Sequence, residues 1–231
     1  MKGPARRLVI AVDGPVGAGK SSAARALARR LGYRYVDTGA MYRAVGWRAL
    51  REGISLSDGR RLAVLARRLP IRFLPRGYGV RVLADREDVT RAVRTPPAAA
   101  AASRVSVHPG VRRALVARQR AMGAGGGIVM EGRDIGTVVF PRADLKVYLD
   151  ASLETRARRR WLELRRGGSH ASLRSVVREV GSRDRRDRRR WASPLRAAPG
   201  SLRLDTTRLS LPAVVGRLVR EASALVGGRP N

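Results

Sequence analysis

Gly14-Pro15-Val16-Gly17-Ala18-Gly19-Lys20-Ser21 constrains this chain more than any other stretch, because it fits G-x-x-x-x-G-K-[ST] in a setting where that pattern has structural meaning. Ahead of it, Arg7 to Gly14 is rich in Val and Ile with little alternation, which predicts a buried parallel strand. Behind it, Lys20 to Leu31 places Ala24, Leu27, Ala28 and Leu31 at helical spacing and stops at Gly32. In a strand–loop–helix unit of this kind the glycines let the backbone turn tightly, so that N–H groups face inward, and the helix N-terminus favours negative charge. Lys20 is placed to reach the β and γ phosphates of a nucleoside triphosphate and the Ser21 hydroxyl to ligate Mg2+, with Ser22 in the same turn. The loop says nothing about the acceptor, since GTPases, motor ATPases and small-molecule kinases all carry it. Guanine recognition through N-K-x-D is excluded, because the sole asparagine is Asn231.

A length of 231 residues, with 44% hydrophobic and 29% charged residues, is ordinary for a globular protein and argues against wholesale disorder, collagen-like repeats and membrane embedding. The longest clean apolar stretch, Leu8 to Val12, is far too short to cross a bilayer. Basic Met1 to Arg7 runs into that stretch without an apolar signal region, so a cytoplasmic protein without a cleaved leader is expected. Without cysteine there is no disulfide framework or thiolate metal site, and His108 and His170 are expected to be structural or solvated rather than catalytic. The formal charge is +31, carried by 46 arginines and only three lysines, at positions 2, 20 and 146. Two readings of that excess stand side by side: a coding bias toward GC-rich codons, and an anionic partner such as nucleic acid, membrane phosphate or an anionic substrate. Either way, a lysine retained at position 20 is informative.

The order of elements predicts an α/β fold. Tyr33–Asp37 reads as a strand, Met41–Arg51 and Asp58–Arg68 as helices, and Ile71–Leu74 with Val80–Ala84 as a hairpin in a small insertion. Pro96 and Pro97 punctuate the chain before an alanine run and a helix over Gly110–Met122. Ile128–Met130 and Leu145–Leu149 read as core strands, and a helix starts near Ser152. Gly167 and Gly168 interrupt a basic helical stretch from Thr155 to Arg190, which suggests a mobile helical hairpin. Leu202–Leu204 reads as a last strand and Leu211–Val226 as a closing helix. Together these predict a mostly parallel sheet with helices on both faces.

Further segments follow predicted strands and so fall at the carboxyl edge of such a sheet, where ligands bind. They are Asp37-Thr38-Gly39-Ala40-Met41-Tyr42-Arg43 and Glu131-Gly132-Arg133-Asp134-Ile135-Gly136-Thr137-Val138-Val139-Phe140-Pro141. Arg183, Asp187 and Arg190, four and three apart, are expected on one helical face, ahead of Ser193-Pro194-Leu195. With the phosphate loop, these segments resemble the bacterial cytidylate kinases over about Leu8 to Thr207, and the D-T-G-A-M-Y-R and E-G-R-D-I-G-T-V-V-F-P runs are specific to that family.

The resemblance implies a nucleoside monophosphate kinase fold in one domain, 1–231, with a core (about 1–69, 96–155 and 191–231), an acceptor-side insertion (about 70–95) and a helical lid (about 156–190). It implies transfer of the γ-phosphoryl group of ATP to CMP or dCMP with Mg2+, in a protein expected to be monomeric. Gly14 to Ser22 would cradle the donor phosphates, and Arg186 and Arg188 are further lid candidates on that side. Thr38, Arg43 and Arg133 match positions that hold the acceptor phosphate, with Tyr42 beside them. Ser103, Arg112 and Asp134 match those facing the cytosine; Arg183 and Asp187 match the ribose contacts, and Arg190 an arginine aimed at the reacting phosphates. Lys20, Arg133, Arg183 and Arg190 are thus the residues expected to neutralise charge during transfer. Glu131 reads equally as holder of a magnesium-bound water and as an ordinary strand-end acid. The chain departs from the family pattern at Val16, where serine is usual, at Thr38, where serine is also common, and at Gly200-Ser201 ahead of Leu204-Asp205-Thr206-Thr207, where the adenine-side contacts stay unassigned. The rivals are a phosphate-loop kinase for another acceptor, such as UMP, and a nucleic-acid-binding protein. Against the latter stand an aromatic content of 4%, which leaves few stacking platforms, and the lack of a nucleic-acid motif. Nonspecific polyanion binding, weakened by salt, is expected as a side property.

Overall fold

The computed structural model describes residues 7–77 and 79–227; Lys2, Asn231 and the rest of the basic run before Arg7 lie outside the described residues. The chain divides into two compact units, one built from the described residues up to Tyr35 together with those from Gly125 onward, the other from Val36–Ala124.

The first unit carries β1 (Val9–Asp13), α1 (Lys20–Leu31), the start of β2 (Arg34–Asp37), β6 (Ile128–Glu131), β7 (Leu145–Asp150), α6 (Leu153–Arg166), α7 (Leu173–Arg189), β8 (Leu202–Asp205) and α8 (Leu211–Gly227). The sheet is five-stranded in the order β2-β6-β1-β7-β8, and β1 pairs parallel with both β6 and β7, as β7 does with β8. Parallel neighbours require crossovers, which the helices supply. Central β1 and β6 are buried along nearly their whole length, which is why their sequences run apolar without alternation. Ile10, Val12, Val129, Val147 and Leu149 pack with Ala24, Leu27 and Ala28 of α1 and Val214 and Leu218 of α8 into one core. Gly32 ends α1 in the left-handed conformation, with its N–H on the Ala28 and Arg29 carbonyls.

Helices α6 and α7 form a basic hairpin with a small core of its own: Ala157, Val176 and Val180, with Trp161 and Leu153 against them. Its helices start on serine caps, Ser152 and Ser172, each accepting from the backbone N–H three residues on.

The second unit holds α2 (Thr38–Arg51), α3 (Gly59–Arg68), β3 (Ile71–Arg76), β4 (Gly79–Ala84), β5 (Glu87–Asp88), α4 (Pro96–Val105) and α5 (Pro109–Gly123). The expected hairpin is present as antiparallel β3 and β4, extended by short β5 into a three-stranded sheet. Helix α4 was not expected, because Pro96 and Pro97 read as punctuation. They occupy its first turn, where a missing N–H costs nothing, behind the cap of Thr95. The alanine run has a packing reason: a Cβ on Gly46 of α2 would lie 2.8 Å from the Ala101 Cβ, so only small residues let α2 and α4 approach this closely. Helix α2 begins three residues before its expected start, at Thr38, since Asp37 caps it through the Ala40 N–H. His108 is structural, its Nε2 lying 2.9 Å from the Leu56 carbonyl oxygen.

Candidate active site

In the first unit the phosphate loop joins the end of β1 to α1, and Gly14, Gly17 and Gly19 all have positive φ, at 145°, 78° and 84°. A Cβ on Gly14 would sit 1.9 Å from the Leu149 carbonyl oxygen, and one on Gly17 would sit 2.5 Å from that of Arg156. The loop is therefore wedged against β7 at Gly14 and against α6 at Gly17, where no side chain fits. Gly14→Ala is expected to abolish nucleotide binding and lower the melting temperature, because it combines a forbidden φ with a backbone collision; equilibrium dialysis and calorimetry would check this. Helix α1 has no acid in its first turn and Gly19 supplies no side-chain cap, so its leading N–H groups and dipole are not countered by a carboxylate there.

Lys20 is 5% exposed and donates to the Pro15 carbonyl at 2.6 Å. Its pKa is pushed down to about 7, first by burial and then by the positive charge of Arg133, with Arg183 adding to it, while Glu131 and Asp13 pull the other way. An ammonium, two guanidinium groups and two carboxylates thus share one electrostatic neighbourhood, in which an added anion relieves the repulsion among the cations. Ser21 and Ser22 are exposed on the first turn of α1. The loop is braced from behind: Arg156 Nη1 donates to the Val16 carbonyl at 3.2 Å, and Thr206 Oγ1 lies 3.2 Å from that of Ala18 while accepting from Arg159 Nη1 at 2.9 Å.

At the end of β6, Glu131 is buried and accepts from the Tyr35 hydroxyl at 2.7 Å. Arg133 follows, its Nε donating to Asp187 Oδ2 at 2.9 Å. Burial acts to raise the Asp187 pKa, but Arg133, Arg183 and Arg190 around it prevail and hold it below the usual carboxylate range. Asp134 is 6% exposed and opens a π-helical turn, Ile135–Val139. Arg190 departs from its expected place. It does not continue the helical face of Arg183 and Asp187, because α7 ends at Arg189; Arg190 is extended at φ −62° and ψ 136°, with its Nε on the Ser193 carbonyl at 2.6 Å. Arg186 and Arg188 are exposed on α7.

In the second unit, Asp37 divides its carboxylate: Oδ1 accepts the Ala40 N–H at 3.0 Å, and Oδ2 accepts Arg43 Nη2 at 2.6 Å. The Arg43 guanidinium is thereby held at the start of α2, whose first residue, Thr38, is buried. Arg112, 5% exposed, places its guanidinium 5.6 Å from the Tyr42 ring centre and donates to the Ser106 carbonyl at 3.3 Å. Ser103 is half-buried in the last turn of α4.

Sequence reasoning missed Asp13, Asp37, Arg156 and Asp184. Asp13 and Asp37 carried a readable signal, a carboxylate closing an apolar strand. Arg156 and Asp184 carried none, lying among many arginines and acids of one basic stretch.

A parallel sheet with a glycine loop leading into a helix, and a buried lysine among arginines, defines a phosphate-loop nucleotide-binding protein. The family model described as cytidylate kinase matches residues 10–224, and the chain belongs to the cytidylate kinase family. It is 49% identical over 214 residues to a cytidylate kinase of Desulfitobacterium hafniense (strain Y51), covering 93% of this chain and 92% of that protein. It is 46% identical over 222 residues to a cytidylate kinase of Geobacillus kaustophilus (strain HTA426), covering 96% and 99%. A solved structure of an uncharacterized protein from Eubacterium ventriosum ATCC 27560 shares the fold alone, at a TM-score of 0.51 and 8% identity over 96% of this chain and 100% of that one. Among the described residues no helix is long and apolar enough to cross a membrane.

Proposed function

We propose that this protein transfers the γ-phosphoryl group of ATP to CMP or dCMP, giving ADP and CDP or dCDP, in the pyrimidine nucleotide metabolism of the cytoplasm. Family membership supports the reaction, and the observation that carries it to particular residues is buried Lys20 at the phosphate loop with Arg133 and Arg183 in its field.

The nucleophile is an oxygen of the acceptor phosphate, already anionic at neutral pH, so no strong base is needed. It forms a bond to the γ-phosphorus as the bond from that phosphorus to the β-bridging oxygen breaks, and ADP leaves with the released charge. What this chain must do is position two polyanions and neutralise them. Gly14 to Ser22 cradle the donor phosphates. Lys20, Arg133, Arg183 and Arg190 offset charge on the transferring group, the guanidinium groups by bidentate donation. In the second unit, Thr38 and Arg43 take the acceptor phosphate with Tyr42 beside them, and Ser103 and Arg112 face the base. In the first, Asp134 accepts from the exocyclic amine, and Arg183 and Asp187 take the ribose. The Asp37 and Asp187 carboxylates keep Arg43 and Arg133 oriented before substrate arrives.

Oxygen donors suit a hard cation such as Mg2+. The exposed Ser21 hydroxyl would hold the ion, with Glu131 at the end of β6 as the carboxylate that would take one of its waters, whereas both oxygens of Asp13 are engaged by backbone amides. A bound ion would supply positive charge to offset that developing on the transferring phosphoryl group. The lid is the α6–α7 hairpin, about 156–190, with Arg186 and Arg188 exposed for donor phosphates, and its closure keeps water from hydrolysing ATP. Residues 70–95 form the acceptor-side insertion, the remainder of 1–231 the core. The protein acts as a monomer, and its arginine-rich surface binds polyanions nonspecifically, with an affinity that falls steeply with salt.

A coupled ADP-release assay with Mg2+-ATP against CMP, dCMP, UMP and AMP tests the reading. Turnover of CMP and dCMP far above UMP, with the preference relaxed roughly 10- to 100-fold in Asp134→Ala, is the expected result. A folded, ATP-binding protein that phosphorylates none of the four overturns the acceptor assignment.

A further inference from the structure

We propose that Asp13 is a positioning residue that sets the acceptor-recognition segment from the strand beneath the phosphate loop, a role that rests on the kinase reading above. Asp13 ends β1, adjoins Gly14, and is 3% exposed. Its Oδ1 accepts the Ile135 N–H at 2.9 Å and its Oδ2 the Gly136 N–H at 2.7 Å. These are leading amides of the π-helical turn Ile135–Val139, groups that a helical turn cannot satisfy from within.

Ordinarily the residue opening the turn caps it with its own side chain. Here Asp134 opens the turn and makes no side-chain cap; its backbone carbonyl instead takes the Val138 and Val139 N–H groups at 2.8 and 3.2 Å. The cap comes from Asp13, more than a hundred residues earlier in the chain. The turn is therefore anchored from outside its own segment, and Arg133 and Asp134 are fixed from below. A second tie adjoins the first, the Gly132 N–H on the Val12 carbonyl at 3.0 Å. Position 136 accommodates this approach, since a Cβ there would lie 3.4 Å from Asp13 Oδ2, 3.3 Å from Lys146 Cγ and 3.2 Å from the Ala198 Cβ.

The chemistry requires a carboxylate. Two convergent N–H donors need two acceptors, whereas an amide side chain offers one acceptor and turns an NH2 group toward the other donor. Burial works against the charged form, so the position retains a carboxylate in a setting that disfavours it.

The test is Asp13→Asn, read by kinetics and by backbone-amide hydrogen exchange. Expected are a roughly 10- to 100-fold fall in kcat/KM for CMP, a narrowed preference for CMP over UMP, and ATP affinity within about threefold of wild type. Exchange protection should be lost at Ile135 or Gly136 while the β1 amides stay protected. Unchanged CMP selectivity, or loss of ATP affinity in step with loss of acceptor turnover, overturns the proposal in favour of a purely structural role. Should Asp13→Asn not fold, Gly136→Ala reads the same contact from its other side: relaxed selectivity with retained ATP affinity supports the proposal, and intact selectivity overturns it. If wild type does not turn over CMP, the functional reading fails by itself, and the exchange data still decide whether Asp13 holds the turn.

Discussion

Lys20→Met is expected to lower kcat by about a thousandfold or more while leaving the protein at least as thermally stable as wild type near neutral pH. The two effects share a cause. Lys20 is enclosed and its ammonium lies in the field of Arg133 and Arg183, so burial and like charge both disfavour the protonated form that phosphate binding uses. Methionine keeps length and apolar contact and removes the charge. The sign of the pH dependence follows from linkage: the folded pKa is about 7 against an ordinary 10.5, so between those values the unfolded chain binds more protons. This group therefore makes wild-type stability rise with pH through that window, and its penalty is fully present below it. The melting advantage of Lys20→Met should shrink as the pH is raised toward about 9, which calorimetry across pH would show. Residual turnover within tenfold of wild type would remove Lys20 from the reaction.

Arg156→Ala should produce the largest loss of stability of any single arginine replacement in the first unit, about 3–5 kcal/mol. Arg156 is 4% exposed and donates to three acceptors, with a further carboxylate close by. Its Nε donates to the Ala151 carbonyl at 2.8 Å and its Nη1 to that of Val16 at 3.2 Å. Its Nη2 pairs with Asp184 at 2.7 Å, and Asp150 Oδ1 lies 3.7 Å from its Nε. Removing it strands a buried carboxylate whose Oδ1 already has no hydrogen-bond partner, together with two carbonyl groups. For a chain of this size the melting temperature should fall by roughly 10 °C. Arg156→Lys should recover little, since a single ammonium cannot reproduce the fork. Replacing both partners, Arg156→Met with Asp184→Leu, should restore most of the stability but not ATP affinity, because the Val16 carbonyl of the phosphate loop still lacks its donor. Equal ATP affinity in the double variant and wild type would show that this brace serves the fold alone.

Short-range rules made much of the architecture legible. The apolar run before Gly14, the helical spacing after Lys20 and the stop at Gly32 need only local information, and α1 has the bounds that spacing predicts. Ser152 and Asp58 cap helices where a capping residue precedes a periodic run, for the same reason. Reasoning failed where one residue type serves opposite ends. Proline reads as a breaker, yet in the first turn of α4 it starts a helix, and the alanines behind it became intelligible only against Gly46. Likewise Arg190 keeps helical spacing in the sequence but lies past the last turn of α7.

The strand–loop–helix of the phosphate loop, the order of elements and the acceptor segments that mark the family are all legible from local sequence, because each is carried by neighbouring residues whose conformations depend on one another. Which charges are buried, and whom they serve, follows from how the chain packs. That Asp13 caps a turn far along the chain, or that Arg156 braces the loop, depends on contacts between distant residues. The worth of a charge is set by the solvent excluded around it and the groups brought near it, and no local pattern records either.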